Sequence, residues 1–187
     1  MSAIKLKSVA EIELIRDACQ IVARVLEQMG KKVSPGISTE DLDSFAEKLI
    51  REQGADPVFI GYRGYRHATC ISVNEEIVHG IPGSRVLQEG DIVSLDVGAR
   101  YKGFCGDTAA TFPVGKVSAK ANKLMRATKE ALQAGIRQVC PGKHLGDVSA
   151  AIQRVAESRG YTVVRELYGH GVGADLHEDP LIPNFGR

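Results

Sequence analysis

The 187-residue chain sets 24 lysines and arginines against 23 aspartates and glutamates, a formal charge of +1, with 43% hydrophobic and 25% charged residues. These proportions suit one ordinary folded domain, argue against intrinsic disorder, and leave no compositional case for nucleic-acid or membrane binding. The opening Met1–Lys7 is charged with no apolar run behind it, so no signal peptide is expected, and no stretch approaches the roughly 20 apolar residues that span a bilayer.

In chain order, Leu14, Ile15, Ala18, Val22, Val25, Leu26 and Met29 form one stripe at helical spacing, predicting a helix from about Val9 to Met29 that Gly30 stops. Val33–Ile37, containing Pro35-Gly36, reads as a turn. Ser38 and Thr39 cap a second helix with Glu40 and Asp41 in its first turn; it turns Leu42, Phe45, Leu49 and Ile50 inward and ends at Gly54. The next signals are strand-like, at Pro57–Ile60, Thr69–Val73, Asp91–Ala99 and Phe104–Phe112, divided by glycines and prolines. Then Ser118–Val139 reads as a helix, Cys140–Lys143 as a turn, and Leu145–Arg159 as a helix before Gly160.

The second helical hairpin echoes the first. Val139–Gly160 lies over Val33–Gly54 without a gap at an offset of 106, with Val33/Val139, Pro35/Pro141, Gly36/Gly142, Asp41/Asp147 and Gly54/Gly160 identical. Repetition of helix, Pro-Gly turn, helix and strand points to an internal duplication, with a first half at about 9–115 and a second at about 116–187. A complete second half extends beyond about position 220, so the chain reads as one full half and an incomplete copy, cut short at its C-terminus.

The sharpest chemical feature is the stretch from Asp96 to Asp107. Val93, Leu95, Val97 and Ala99 alternate with Ser94, Asp96 and Gly98, and Arg100–Gly103 is a natural hairpin turn. If Tyr101-Lys102 forms the loop, Asp96 faces Asp107 directly, at about 4.5–5.5 Å between Cβ atoms; if Lys102-Gly103 does, they are diagonal neighbours at roughly 7–8 Å. A three-residue loop puts them on opposite faces. On one face, two carboxylates repel unless a cation lies between them or one is protonated. The plain alternative is two exposed aspartates on a hairpin edge. Against it, Ser94, Gly98, Cys105 and Ala109 share that face and are small enough to leave room for a ligand. Carboxylates suit hard cations such as Mn²⁺ or Mg²⁺, and Zn²⁺, Co²⁺ and Fe²⁺ accept them too.

Three of the five histidines, His79, His170 and His177, sit in loops rich in glycine or proline, where scaffolds hold functional side chains, whereas His67 and His144 lack such context. Asp179-Pro180 breaks any helix after His177-Glu178, so this is not an H-E-x-x-H zinc helix, and no dinucleotide fingerprint or P-loop occurs. Cys19, Cys70, Cys105 and Cys140 form no C-x-x-C pair, which disfavours a zinc ribbon and makes a reducing, cytoplasmic compartment the expectation.

Val78-His79-Gly-Ile-Pro82, Asp91-Ile-Val-Ser-Leu-Asp96, Gly106-Asp107-Thr108, Gly169-His170-Gly-Val-Gly173 and His177-Glu-Asp-Pro180 together resemble the methionine aminopeptidases of the bacterial type I kind, over essentially the whole chain. The resemblance implies a single α+β domain, 1–187, of the pita-bread fold: a curved antiparallel sheet backed by helices in two pseudo-symmetric halves, the second incomplete here. It implies metal-dependent removal of the initiator methionine from nascent proteins and peptides by a metal-activated hydroxide. Asp96, Asp107 and His170 become metal ligands, His79 a group that contacts the scissile amide and helps move its proton, and His177 a donor to the carbonyl oxygen. Tyr62, Tyr65, Cys70 and Leu176, with His79 and His177, become the substrate-binding residues around the methionine side chain. The cofactors implied are divalent Co, Mn, Fe or Zn ions, two in the family and one or none here, because its two closing glutamates lie beyond Arg187. Arg66-His67-Ala68 replaces a common Pro-Lys-Ser, and Leu176 stands where a phenylalanine is common, so the pocket departs in detail. The implied partners are peptides and nascent chains with N-terminal methionine, the ribosome, and a second copy through the incomplete half; no nucleic acid or membrane is implied. The alternative is a weak or inactive chain that binds a peptide or the ribosome without cleaving. A relative acting on X-Pro bonds or creatine ranks lower, because its long N-terminal domain is absent.

Overall fold

In the computed structural model, which describes residues 4–186, the first helix, α1, spans Val9–Lys32 and begins at a capping box in which Ser8 and Glu11 exchange bonds. The ends of the expected domain, Met1–Ala3 and Arg187, lie outside the described residues. Ala18, Val22, Val25 and Met29 are fully buried along its inner stripe, and Ile21 joins them. Gly30 does not stop α1 as its sequence suggests. A Cβ there would lie 2.3 Å from the Phe112 ring, so this glycine admits a neighbour, and the helix ends at Val33 instead. The second helix, α2 (Thr39–Glu52), is capped by Ser38 and Asp41 and buries Leu42, Ala46 and Ile50.

Four strands follow: β1 (Asp56–Pro57), β2 (Thr69–Val73), β3 (Ile92–Tyr101) and β4 (Phe104–Pro113), all antiparallel. β3 is central; β1 and β2 pair with successive stretches of one edge and β4 with the other. The expected strand at Pro57–Ile60 is shorter, because after Val58 donates to the Gly98 carbonyl the chain turns into a 3-10 turn at Tyr62–Gly64. Val93, Leu95, Val97 and Ala99 are fully buried toward the helices in one core with Val22, Met29, Leu42, Ile50, Ile71 and Val114. At about 25 cal/mol per Å² of apolar surface, this layer dominates the stabilisation of the sheet and leaves its other face for chemistry.

The chain divides into two compact units, one of Lys5–Val117 with Val172–His177, the other of Ser118–Gly171 with the residues from Glu178 on. The second unit contains α3 (Ala119–Ile136), α4 (Leu145–Ser158), and the antiparallel strands β5 (Tyr168–Gly171) and β6 (Glu178–Pro183). α3 meets α4 where Gly135 lets Ile152 and Val148 approach. The offset of 106 carries α2 onto α4 end for end. It also matches the left-handed glycines Gly36 with Gly142 and Gly54 with Gly160, and the cap residues Ser38 with His144. His144 thus starts α4, its N–H donating to Asp147 at 2.8 Å.

Candidate functional site

Lys102 and Gly103, at φ 49° and 88°, form the two-residue turn between β3 and β4. A left-handed pair matches the natural twist of a hairpin, and it fixes the register Asp96↔Ala109 and Gly98↔Asp107. Asp96 and Asp107 are therefore diagonal neighbours on the face away from the core, the second of the geometries that the sequence allows. They are close enough to hydrogen-bond, and the Asp96 carboxyl is pushed up to about 7 by burial first and then by the charge and hydrogen bond of Asp107. This donor set fits a hard divalent cation: two oxygen ligands, partly desolvated, whose mutual repulsion a positive ion would cancel. Cys19 of α1 also lies beside Asp107, and Gly106 permits this approach, since a Cβ there would stand 2.5 Å from the Ala18 backbone. Nothing in the spacing of Cys19 announces that position. Among the described residues, no group of three or more His, Cys, Asp and Glu side chains is gathered closely enough to hold an ion.

Next to the carboxylates is an apolar cluster of Phe59, Cys70, Cys105 and Leu176, with Val58, Tyr62 and Tyr65 packed on it. The four pocket residues expected from the sequence, Tyr62, Tyr65, Cys70 and Leu176, meet here. Phe59 and Cys105 were not among them. Phe59 falls in a stretch that reads as strand, and Cys105 was expected only to leave space. The space over Gly98 is in fact occupied, because a Cβ there would lie 2.5 Å from the Phe59 ring. Burial pushes the Cys70 thiol up to about 11, and burial together with the hydrogen bond that the phenol makes to Cys70 pushes Tyr65 up as well. The Val172–His177 segment is tied to β4 by the Cys105 N–H, which donates to Gly173 at 2.7 Å.

The histidines divide. His177 stacks on Tyr62 at 5.2 Å between ring centroids, beside the apolar cluster. His79 is exposed with φ 60°, a conformation that few residues other than glycine adopt. The neighbouring Gly80 is locked onto β2: its N–H donates to Ser72 at 3.0 Å and its carbonyl accepts from Ile71 at 2.9 Å. A Cβ on Gly80 would sit 2.2 Å from the Ile71 carbonyl oxygen, so the close approach requires glycine. His170 belongs to the second unit, on β5 beside a bulge, with Nδ1 3.0 Å from the Gly171 carbonyl oxygen. His67 has Nδ1 3.3 Å from the buried Asp43 carboxylate.

Residues 13–187 match metallopeptidase family M24. The chain is 51% identical to methionine aminopeptidase 1 of Bacillus subtilis over 180 residues, which cover 96% of this chain and 73% of that protein. The crystal structure of methionine aminopeptidase from Thermotoga maritima superposes with a TM-score of 0.96 at 45% identity, covering 99% of this chain and 75% of that one. Prolidase from Pyrococcus furiosus shares the fold, with a TM-score of 0.84 at 24% identity over 97% of this chain and 52% of its own. These relatives are named as peptidases, which gives the binding-module alternative no support.

Proposed function

The chain belongs to metallopeptidase family M24, with the pita-bread fold of its methionine aminopeptidases, and we propose that it releases the initiator methionine from nascent proteins and peptides in the cytoplasm. One observation carries this reading: Cys70 pairs with Asp96 across β2 and β3, so the apolar cluster and the carboxylate pair adjoin on one sheet face. A thioether suits a cavity of aromatic rings and thiols, and a methionine held there brings the bond after it toward the carboxylates.

Asp96 and Asp107 are the carboxylates that would hold a divalent ion, and His170 joins them on the resemblance. The resemblance names Co, Mn, Fe or Zn as that ion, and M24 membership supports a divalent metal. Its contribution when bound is to polarise the scissile carbonyl and to make water nucleophilic near neutral pH. His79 contacts the scissile amide and carries its proton. His177, steadied by its stack on Tyr62, donates to the carbonyl oxygen as negative charge grows there. Tyr62, Tyr65, Cys70 and Leu176 select the side chain, and Leu176, only 4% exposed, forms a smaller wall than an aromatic ring would. Four free cysteines among the described residues agree with a reducing compartment. The partners we infer are nascent chains at the ribosome and a second copy, the latter supported by Leu124, Leu132 and Ile136 lying exposed along α3.

The test is release of methionine from Met-Ala-Ser by the metal-supplemented chain, compared with an EDTA-treated control and the Asp107→Asn variant. Turnover that EDTA and the variant both abolish is expected. Peptide binding with no release in the presence of Co, Mn, Fe or Zn would favour a binding module instead.

A further inference from the structure

Asp43, on α2, takes no part in the chemistry proposed above, yet it is a nearly buried carboxylate at 7% exposure. The packing face of α2 is supplied by Leu42, Ala46 and Ile50, so burial of a charge at position 43 has no packing purpose, and it is costly unless every oxygen is partnered. The partners lie on one segment. Thr69 donates to Oδ1 twice, from its backbone N–H at 2.8 Å and its hydroxyl at 2.6 Å, and His67 presents Nδ1 to Oδ2 at 3.3 Å. The carboxylate thus grips the chain on both sides of Ala68. Asparagine could keep both Thr69 bonds only by turning its NH2 toward His67, which then has to present an unprotonated Nδ1.

What Asp43 grips is the wall of the pocket. Thr69, fully buried, opens β2, and its carbonyl accepts the Tyr65 hydroxyl at 2.8 Å. The Tyr65 ring meets His67 edge-on at 5.7 Å between centroids. Cys70 follows Thr69 directly and points to the opposite face of the strand, into the apolar cluster. The position of Thr69 therefore sets both Tyr65, through the phenol bond, and Cys70, through the backbone.

We propose that Asp43 is a positioning residue for the methionine pocket, holding Tyr65 and Cys70 in place through Thr69 and His67; this rests on the pocket reading given above. His67, one of the departures in Arg66-His67-Ala68, becomes the outer contact of that clamp. A clamp on the pocket wall governs recognition of the side chain and leaves the carboxylate pair untouched. A merely structural role lowers the amount of folded protein and affects all ligands alike.

The experiment uses the full chain loaded with Mn²⁺, L-methioninamide and L-alaninamide as calorimetric probes, and Met-Ala-Ser as substrate. Asp43→Asn removes the charge and one acceptor, and Thr69→Val removes only the hydroxyl while keeping the strand; if the first variant does not fold, the second decides. Loss of a charge-assisted bond predicts about a tenfold weakening of methioninamide with Asp43→Asn and about threefold with Thr69→Val, with alaninamide unchanged. KM for Met-Ala-Ser should rise by the same factors while kcat stays within about twofold. Variants that keep the wild-type preference for methioninamide over alaninamide, whatever their melting temperature, overturn the proposal. A wild-type chain without that preference overturns the pocket reading itself, and the proposal with it.

Discussion

Replacing Asp96 by asparagine should make the metal-free chain more stable at neutral pH, although it removes one of the two carboxylates that we propose hold a metal ion. The Asp96 carboxyl is pushed up to about 7, against an ordinary 3.8, by burial and by Asp107. A group held above its unfolded pKa contributes stability that is full below the unfolded value and is lost as pH rises through the folded one. Across the window from about pH 4 to pH 7 the metal-free chain therefore loses the advantage of a protonated Asp96. At about 1.4 kcal/mol per unit, a rise of about 3 units sets a ceiling of about 4 kcal/mol, reduced by whatever water reaches the pair. Urea unfolding in EDTA at pH 5, 6.5 and 8 measures it. Asp96→Asn should gain on the wild type as pH rises, by up to about 3–4 kcal/mol at pH 8. With Mn²⁺ added the order should reverse, since the ion neutralises the wild-type pair and finds one carboxylate fewer in the variant. A difference between variant and wild type that stays flat from pH 5 to 8 in EDTA would refute the reasoning.

Gly30→Ala improves helix propensity but places a methyl 2.3 Å from the Phe112 ring; overpacking should prevail and lower stability by about 1–3 kcal/mol in urea unfolding. Tyr62→Leu removes the stack under His177, worth about 1 kcal/mol, so kcat should fall about fivefold with metal content by elemental analysis unchanged. Cys70, with its thiol pushed up to about 11, should resist iodoacetamide at pH 7.5 while exposed Cys140 is alkylated; peptide mapping that finds them labelled equally fast would contradict the burial of the pocket.

The elements legible in the sequence were those whose signals have one physical meaning. Ser38 with Asp41 and Ser118 before an apolar stripe can only begin helices, and both do. Alternation along Val93–Ala99 fixes a strand with one buried face. Gly30 misled because glycine has two uses, ending a helix and admitting a neighbour, and only the position of Phe112 distinguishes them. The Asp96–Asp107 pair was readable as a pair, but its diagonal register was not, since a two-residue loop fits at either Tyr101-Lys102 or Lys102-Gly103 and the left-handed φ values at Lys102 and Gly103 decide it. The apolar cluster beside the carboxylates was half visible. Tyr62, Tyr65, Cys70 and Leu176 came from resemblance, while Phe59 needed the chain to turn over Gly98, a tertiary event that no local pattern encodes.

The Lys102–Gly103 turn is exposed, and by the usual experience of surface loops it is where inserted residues are absorbed without harm. Here parity forbids that freedom. A single residue added to the loop and accommodated by sliding β4 would turn Asp107 into the core and bring Gly106 or Thr108 out beside Asp96. The spacing between two carboxylates is thus written into a tip of the molecule that touches neither of them. Evolutionary drift in length, cheap at most loops, should be closed at this one.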